Sequence, residues 1–151
     1  MRLILQRVLS EAKVIVKGHI TGKIDKGLVI LLGIEDADTS EDISWLCRKV
    51  VNLRIFNDPE GKMNLSVQEI KGSILIVSQF TLYASIKKGN SPSYLRSAKP
   101  EKAEQLYDEF ISHLKKEHRI VTQSGEFGAD MKLHLINDGP VTIMMDSKNK
   151  E

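Results

Sequence analysis

Two short segments of the chain carry polar side chains in arrangements that could perform chemistry. In Ser78-Gln79-Phe80-Thr81-Leu82, two hydroxyls and an amide directly follow an apolar run. Such groups can hold an ester or a nucleotide, or can mark a strand that ends in water. The segment Asn137-Asp138-Gly139-Pro140-Val141-Thr142 contains residues that favour turns, so an ordinary turn is its alternative interpretation. On residue types alone, both interpretations of each segment stay open.

The better-known catalytic patterns are absent. The chain has no GxxxxGK[ST] loop, HExxH helix or GxSxG elbow. The four histidines (His19, His113, His118 and His134) are scattered, and none is spaced as a metal pair. Cys47 lies on the apolar face of a predicted helix, which favours a core position over a reactive thiol. The sequence therefore predicts no metal site and no cofactor.

Composition indicates a globular domain. Of 151 residues, 41% are hydrophobic and 28% charged, and the net charge is +2, which excludes disorder and a basic nucleic-acid-binding tail. A single cysteine excludes a disulfide framework. No apolar run approaches the ~20 residues of a membrane span. Arg7 interrupts the N-terminal apolar stretch too early for a signal peptide, so a cytoplasmic location is expected.

Hydrophobic periodicity predicts strands, a helix, strands, a second helix and two last strands. This order is not a regular βαβ alternation, so we expect an α+β fold: a single compact domain of antiparallel sheets with two main helices packed on them. The domain is predicted to cover residues 1–146, with residues 147–151 a polar, frayed tail. The predicted elements are strands at 3–5, 12–16, 20–24, 28–32, 73–80, 131–136 and 141–145, a helix capped by Ser40, and a helix starting near Pro100.

Together, the two polar segments closely resemble the signature motifs of D-aminoacyl-tRNA deacylases. The resemblance covers nearly the whole chain, and the order and spacing of its fragments make it specific. One position departs from the family, which commonly has arginine in a Gly-x-Arg-Pro-Ser-Phe loop where this chain has Ser91. The further fragments are Leu5-Gln6-Arg7-Val8, Leu31-Leu32-Gly33, Arg54-Ile55-Phe56, Glu60 to Leu65 and Phe127 to Met131.

The resemblance implies a hydrolase that cleaves the ester between a D-amino acid, or misplaced glycine, and the terminal adenosine of tRNA. It also implies a symmetric homodimer in which the Gly-Pro motif of one subunit reaches the active site of the other. Gly139 and Pro140 would then form the chirality filter, joined by a cis bond whose two carbonyls crowd the position of an L side chain. Arg7 would brace this loop, or would be a surface cation.

Ser78, Gln79, Phe80 and Thr81 would line the pocket, with the Phe80 N–H as a candidate to hold the nucleotide or the developing oxyanion. Thr81 is the obvious hydroxyl nucleophile, but a threonine hydroxyl needs an adjacent base and neither motif contains histidine or lysine. Assistance by the ribose 2′-hydroxyl of the substrate is the alternative.

The nearest basic cluster, a candidate for tRNA contacts or a solvated loop, comprises Lys87, Lys88, Arg96 and Lys99. Two other functions stay open. A catalytically silent RNA- or nucleotide-binding module would bind without turnover, and a hydrolase of another D-amino-acid ester would not need the terminal adenosine.

The absence of a ligand cluster with metal spacing predicts metal-independent hydrolysis. We expect exhaustive chelation to leave the rate of D-aminoacyl-tRNA deacylation unchanged. Loss of activity with EDTA and its return with added zinc would contradict this prediction.

Overall fold

The computed structural model describes all residues, 1–151. The chain forms ten strands, two helices and one 3₁₀ turn; the seven predicted strands and both predicted helices are among them, whereas three short strands and the 3₁₀ turn were not predicted, and the strand predicted for 73–80 ends at Ser78. The strands are β1 (Arg2–Val8), β2 (Ala12–Val16), β3 (His19–Ile24), β4 (Gly27–Gly33), β5 (Phe56–Asn57), β6 (Met63–Leu65), β7 (Ser73–Ser78), β8 (Thr122–Ser124), β9 (Lys132–His134) and β10 (Thr142–Asp146). The helices are α1 (Ser40–Asn52) and α2 (Pro100–Lys116), and the 3₁₀ turn is Phe80–Tyr83.

The main sheet has five strands in the order β10-β1-β4-β7-β8, and a smaller sheet has the order β3-β2-β9. Strand β1 pairs antiparallel with both β10 and β4, whereas β4–β7 and β7–β8 are parallel. The α+β class with two helices packed on the sheets is confirmed, and the main sheet is mixed, because two parallel pairs join its antiparallel ones. A helical connection between β4 and β7 permits the parallel pairing.

The core has three layers: the helices, the main sheet and the smaller sheet. One face of the main sheet packs against both helices, through residues such as Leu5, Ile30 and Ile76. The opposite face packs against the smaller sheet only on its β4–β7 side, through Val29 and Leu75. The side of this face formed by β10 and β1 has no covering layer, so Met144 is 71% exposed.

Helix α1 begins one residue earlier than predicted, because Thr39 rather than Ser40 is the N-cap. The Asp42 carboxylate accepts a hydrogen bond from the Thr39 N–H at 2.8 Å, which stabilises the first turn. Cys47 is fully buried on the apolar face of this helix, as predicted. Neither helix combines the length and the continuous apolar character that crossing a membrane requires.

The C-terminal segment is not simply a frayed tail. Ser147 is buried, and its backbone N–H donates to the Met1 carbonyl at 2.9 Å. Lys148 Nζ donates to Asp42 at 2.9 Å, which ties the segment to helix α1. The last two strands are also displaced from the expected bounds, to 132–134 and 142–146. Hydrophobic periodicity does not register such polar attachments, so it placed the end of the ordered chain too early.

Asp42 connects the cap of α1 to this segment and titrates below its usual range. Burial alone would raise the pKa of Asp42, but hydrogen bonds from Ser147, Lys148 and the Thr39 backbone outweigh burial and lower the pKa. A carboxyl whose pKa is lower in the folded state stabilises the fold above its unfolded pKa and loses this effect as pH falls.

We therefore expect Asp42→Asn to lower the free energy of unfolding at pH 7 by about 1–2 kcal/mol. The difference from the unsubstituted chain should shrink as pH falls below 3.8, the ordinary pKa of the group. Urea denaturation at pH 7 and pH 3 measures it, and Glu41→Gln in the same turn is the control. A difference that does not change with pH would contradict the assignment.

Candidate active site

The Ser78–Leu82 motif lies where the parallel strand β7 ends beside β4. Ser78 is paired with Leu32, and the 3₁₀ turn then folds over Gly33. A Cβ on Gly33 would lie 3.0 Å from the Gln79 carbonyl oxygen and 3.0 Å from Leu82 Cβ. Glycine at this position therefore lets the turn lie directly against the sheet. The Leu31-Leu32-Gly33 fragment thus has a packing role next to the motif.

Within the motif, the Gln79 side-chain amide donates a hydrogen bond to Thr81 Oγ1. This is the only side-chain hydrogen bond that Thr81 makes, and an amide N–H cannot remove a proton from the hydroxyl. The ring of Phe80 points outward and is 57% exposed. The turn thus presents an aromatic ring and an amide–hydroxyl pair, without a base that contacts the hydroxyl.

Tyr83, the last residue of the 3₁₀ turn, holds the turn from its buried side. Its ring is fully buried, and the guanidinium groups of Arg2 and Arg96 lie 4.7 and 5.6 Å from its centroid. Arg2 Nη1 also donates to the Leu82 carbonyl at 3.2 Å, while Arg2 Nε donates to Asp146 at 2.8 Å. Burial raises the pKa of Tyr83 far above its usual value, so its hydroxyl stays protonated and donates to Glu35 at 3.3 Å. The turn is therefore fixed to the start of β1.

The segment after the turn returns to it at residues 94–98. Ser97 Oγ donates to the Phe80 carbonyl at 2.9 Å, and the Ala98 N–H donates to Ile34 at 2.9 Å. The rings of Phe80 and Tyr94 meet edge to face, with centroids 5.0 Å apart. The Phe80 backbone is therefore held by Ser97, and its exposed ring contacts the exposed ring of Tyr94.

The other motif, residues 137–142, lies at the opposite end of β1 and is held by Arg7. Arg7 is only 5% exposed, so the alternative of a surface cation is wrong. Its Nε donates to the Asp138 carbonyl at 3.1 Å and its Nη1 to the Ile55 carbonyl at 2.7 Å. Gly139 and Pro140 are exposed, and the bond between them is cis, as predicted.

Side chains within the second motif complete its structure. Asn137 Oδ1 accepts from the Val141 N–H at 2.9 Å, and Asn137 Nδ2 donates to Thr142 Oγ1 at 2.7 Å. Gln6 of β1 donates to the same Thr142 oxygen at 3.2 Å. The segment is therefore not an ordinary exposed turn, because the Asn137 amide fixes the loop from within and Arg7 fixes it from β1.

Within one chain, the two motifs lie apart. Arg2 contacts Leu82 and Arg7 contacts Asp138, so the motifs are attached to β1 at positions five residues apart. Five residues of extended strand span about 17 Å. Thr142 of the second motif nevertheless lies on the uncovered face of the main sheet, since it pairs with Gln6 and Gln6 shares that face with Arg2.

All members of the predicted basic cluster are exposed. Lys87 and Lys88 lie in the loop after the 3₁₀ turn, and Lys99 precedes α2. Arg96 differs from them because its guanidinium also packs on Tyr83. His134, one of the four scattered histidines, is exposed on β9. No group of three or more His, Cys, Asp or Glu side chains is placed to hold a metal ion.

Sequence reasoning did not find the residues that support the first motif: Arg2, Glu35, Tyr83 and Ser97. Arg2 and Tyr83 had a partial signal, since one is a charge at the start of an apolar strand and the other directly follows the motif. Glu35 and Ser97 are distant in sequence and carry no pattern that indicates their partners.

Comparison with known proteins places the chain in a family. The family model described as D-Tyr-tRNA(Tyr) deacylase matches residues 4–146. D-aminoacyl-tRNA deacylase of Flavobacterium johnsoniae is 58% identical over 151 residues, covering 100% of both chains. The protein of the same name from Bacteroides fragilis is 56% identical, with the same coverage. The chain therefore belongs to the D-Tyr-tRNA(Tyr) deacylase family, and this makes it a hydrolase.

Solved structures agree with this fold. A structure described as c-Myc DNA Unwinding Element Binding Protein has a TM-score of 0.90 and 40% identity, with 97% of this chain and 98% of that chain covered. A probable eukaryotic D-amino acid tRNA deacylase has a TM-score of 0.76 at 20% identity, covering 96% and 99%. The second likeness bears on the fold alone.

The packing around Gly139 predicts that this loop tolerates no side chain there. A Cβ would lie 2.8 Å from Arg7 Nη2 and 2.9 Å from Val141 Cγ2, at a φ of +123°. The Arg7 side chain cannot retreat without losing its bonds to two carbonyls. We expect Gly139→Ala to lower the free energy of unfolding by about 2–4 kcal/mol.

The matched control for this substitution is Gly61→Ala, also at a positive φ (+81°) but with open space around the Cβ position. It should cost only the backbone strain, about 1–2 kcal/mol. Thermal and urea unfolding of both variants measure the difference. Equal destabilisation would show that the contacts with Arg7 and Val141 do not restrain the loop.

Proposed function

We propose that this chain hydrolyses the ester of D-aminoacyl-tRNA, and of mischarged glycyl-tRNA, and rejects L-aminoacyl-tRNA. The observation that carries the proposal is the placement of the two family motifs. Each is attached to β1 by an arginine, and Thr142 of the second motif lies on the same face of the main sheet as Arg2, which holds the first. The substrate exists wherever tRNA is charged, so we further propose that the protein acts in the cytoplasm.

We propose that the active form is a homodimer whose two sites each use both chains. Within one chain the motifs are about 17 Å apart along β1, which is too far for both to touch one aminoacyl group. A second copy placed face to face and antiparallel would lay its 137–142 loop over the 3₁₀ turn of the first. A two-fold axis makes this exchange reciprocal, so two identical sites form at once.

The uncovered face of the main sheet supports this arrangement. Ile4 lies in register with Met144 on one side and Leu31 on the other, which forms an apolar row across β10, β1 and β4. Met144 is 71% exposed and neither helix nor the smaller sheet covers it. Exposed apolar surface of this kind is typical of subunit contacts. The row lies between the two motifs, so an axis through it would exchange them.

In this arrangement, the exposed Gly139–Pro140 segment of one subunit would form the chirality filter of the other. Its backbone carbonyls would occupy the space that an L side chain needs, whereas a D side chain or the hydrogen of glycine would be free. A filter made of backbone excludes every L side chain equally, so the D side chain itself needs no recognition. Arg7 would be a positioning residue, because it holds the carbonyl preceding this segment.

Ser78, Gln79, Phe80 and Thr81 would receive the terminal adenosine and the ester. The first N–H groups of a 3₁₀ turn have no acceptor within the turn, so that of Phe80 could donate to the oxyanion that develops on the ester carbonyl. Hydrogen bonds to that oxygen strengthen as its charge grows, and this lowers the barrier without a metal or cofactor.

We propose that the ribose 2′-hydroxyl, rather than Thr81, assists the chemistry. Water adds to the ester carbonyl, and collapse of the intermediate breaks the bond to the 3′-oxygen. The 2′-hydroxyl passes the proton of the water to that leaving oxygen, so free amino acid and tRNA form without a covalent enzyme intermediate. Thr81 is a weak nucleophile here, because its hydroxyl contacts only the Gln79 amide.

This mechanism predicts opposite results for two changes. Thr81→Ala should keep the deacylation rate within about tenfold, since it removes no proton acceptor. A D-aminoacyl-tRNA that ends in 2′-deoxyadenosine should react at least about 100-fold more slowly. Single-turnover assays with D-Tyr-tRNA measure both rates. An acyl group trapped on Thr81, or the reverse pair of results, would establish the threonine as the nucleophile.

The filter predicts that Arg7→Lys will weaken discrimination more than turnover. A lysine cannot bond both the Asp138 and Ile55 carbonyls, so the loop should loosen and the L side chain should find room. We expect the ratio of D to L deacylation rates for Tyr-tRNA to fall about tenfold or more, with a smaller fall in the D rate.

The matched control for Arg7→Lys is Arg48→Lys, an exposed arginine on α1 that contacts neither motif. Dimer content is measured by sedimentation, since a dissociated protein would lose both rates together. An intact dimer with undiminished rejection of L-Tyr-tRNA would eliminate the proposed role of the loop.

A nucleic-acid-binding protein without catalysis is the second candidate. It is favoured by one observation, the solved structure at 40% identity whose description names a DNA-unwinding-element-binding protein. The same D-Tyr-tRNA assay separates the two, because this candidate predicts binding without release of tyrosine.

A further inference from the structure

Residues 70–100 differ from the rest of the chain in both charge and exposed apolar surface. They contain five Lys or Arg residues and no Asp or Glu, although the whole chain has 22 basic and 20 acidic residues. The same region supplies four of the ten large hydrophobic residues that are exposed: Phe80, Ile86, Tyr94 and Leu95. An exposed apolar surface in a segment whose charged residues are all basic is suited to an anionic partner with flat apolar faces.

Tyr94 and Leu95 are two neighbouring exposed residues of this surface. Tyr94 is 40% exposed although its ring contacts that of Phe80 edge to face. Leu95 is 93% exposed. Tyr94 is not free to move into the core, because Ser97 N–H bonds its carbonyl at 3.0 Å and Ser97 Oγ bonds the Phe80 carbonyl. The structure therefore keeps an aromatic ring and a leucine side chain exposed beside the motif.

We infer that Tyr94 and Leu95 form a stacking platform for the unpaired 3′ strand of tRNA, immediately before its terminal adenosine. This inference rests on the proposed function, which places that adenosine at Phe80. The centroid of the Tyr94 ring is 5.0 Å from that of Phe80, so a nucleotide placed on Tyr94 directly neighbours the adenosine at Phe80. The platform thus receives the nucleotide next to the adenosine.

Three exposed lysines near this surface are candidates to contact the phosphates of the RNA strand. Lys87 and Lys88 follow the 3₁₀ turn and Lys99 follows Tyr94, and all three are exposed. Single-stranded nucleic acid is bound by this combination of a basic track for phosphates and aromatic faces for bases, with little dependence on sequence. Arg96 is not part of the track, because its guanidinium packs over Tyr83 and supports the turn.

Two substrates, with and without the rest of the tRNA, test this inference. D-tyrosyl-adenosine carries the ester and the terminal nucleoside, whereas D-Tyr-tRNA also carries the unpaired nucleotides. Tyr94→Ala should lower kcat/KM for D-Tyr-tRNA about tenfold, within the range expected for loss of one base–aromatic stack. It should leave kcat/KM for D-tyrosyl-adenosine within about twofold, because the platform lies outside the pocket for the nucleoside.

Further variants serve as controls. Tyr94→Phe keeps the ring and should retain activity on both substrates. Leu95→Ala should act as Tyr94→Ala does, though more weakly, whereas Val121→Ala removes another exposed apolar side chain outside this segment and should change neither rate. Equal losses on the two substrates would overturn the inference, since they would mean that Tyr94 acts through Phe80. Loss of dimer on sedimentation would also overturn it, by assigning the surface to a subunit contact.

A binding arm separates this inference from the proposed function. Fluorescence anisotropy with a labelled ribotetranucleotide ending in CCA, and with a duplex of the same sequence, needs no catalysis. We expect the single strand to bind more tightly than the duplex, and Tyr94→Ala to weaken that binding about tenfold. If the protein hydrolyses neither ester, the proposed function fails while this arm still decides the platform. Equal binding of the single strand and the duplex, unchanged in Tyr94→Ala, would refute the stacking platform.

Discussion

The length of strand β1 is the constraint on which the site depends. Arg2 at its start holds the 3₁₀ turn, and Arg7 near its end holds the loop before Gly139. An extended strand in a sheet cannot shorten, so the distance between the two motifs is fixed by the backbone rather than by side chains that could adapt. A reaction that requires both motifs at one ester must therefore bring them from two chains.

The layering of the fold leaves room for that second chain. Both helices pack on the same face of the main sheet, and the smaller sheet covers only the β4–β7 side of the other face. The row containing Ile4 and Met144 stays without a partner in the single chain. In a stable fold this exposed apolar surface has a cost, which contact with a second copy would offset. The same face therefore links stability to the proposed assembly of the site.

Much of the fold could be predicted because its elements have regular hydrophobic periods. The helix with Cys47 on its apolar face and the buried strand β4 follow directly from spacing. The parallel pairing of β4 with β7 could not be predicted, because strand direction depends on how the connection crosses the sheet and not on residue pattern. The attachment of Ser147 also escaped prediction, since its partners lie at the other end of the chain.

The residues of the candidate site also differ in whether they could be predicted from sequence. Its exposed members, from Ser78 to Thr81 and at Gly139 and Pro140, were found through motifs that are continuous in sequence. The residues that hold them were mostly missed, because a supporting contact joins positions far apart. Ser97 bonding the Phe80 carbonyl is one example. Arg7 was found only because it belongs to a fragment of the resemblance, and its burial could not be inferred from that fragment.

The single cysteine can report on separation of the two helices. Cys47 is fully buried in α1 against α2, and burial raises the pKa of its thiol, so the reactive thiolate is suppressed while the helices stay packed. A thiol reagent can therefore modify the native protein only when this helix pair separates. The rate of modification measures how often the helical layer opens, without any label being introduced. Comparing that rate at low and high protein concentration would show whether contacts on the far side of the sheet stabilise the helical layer.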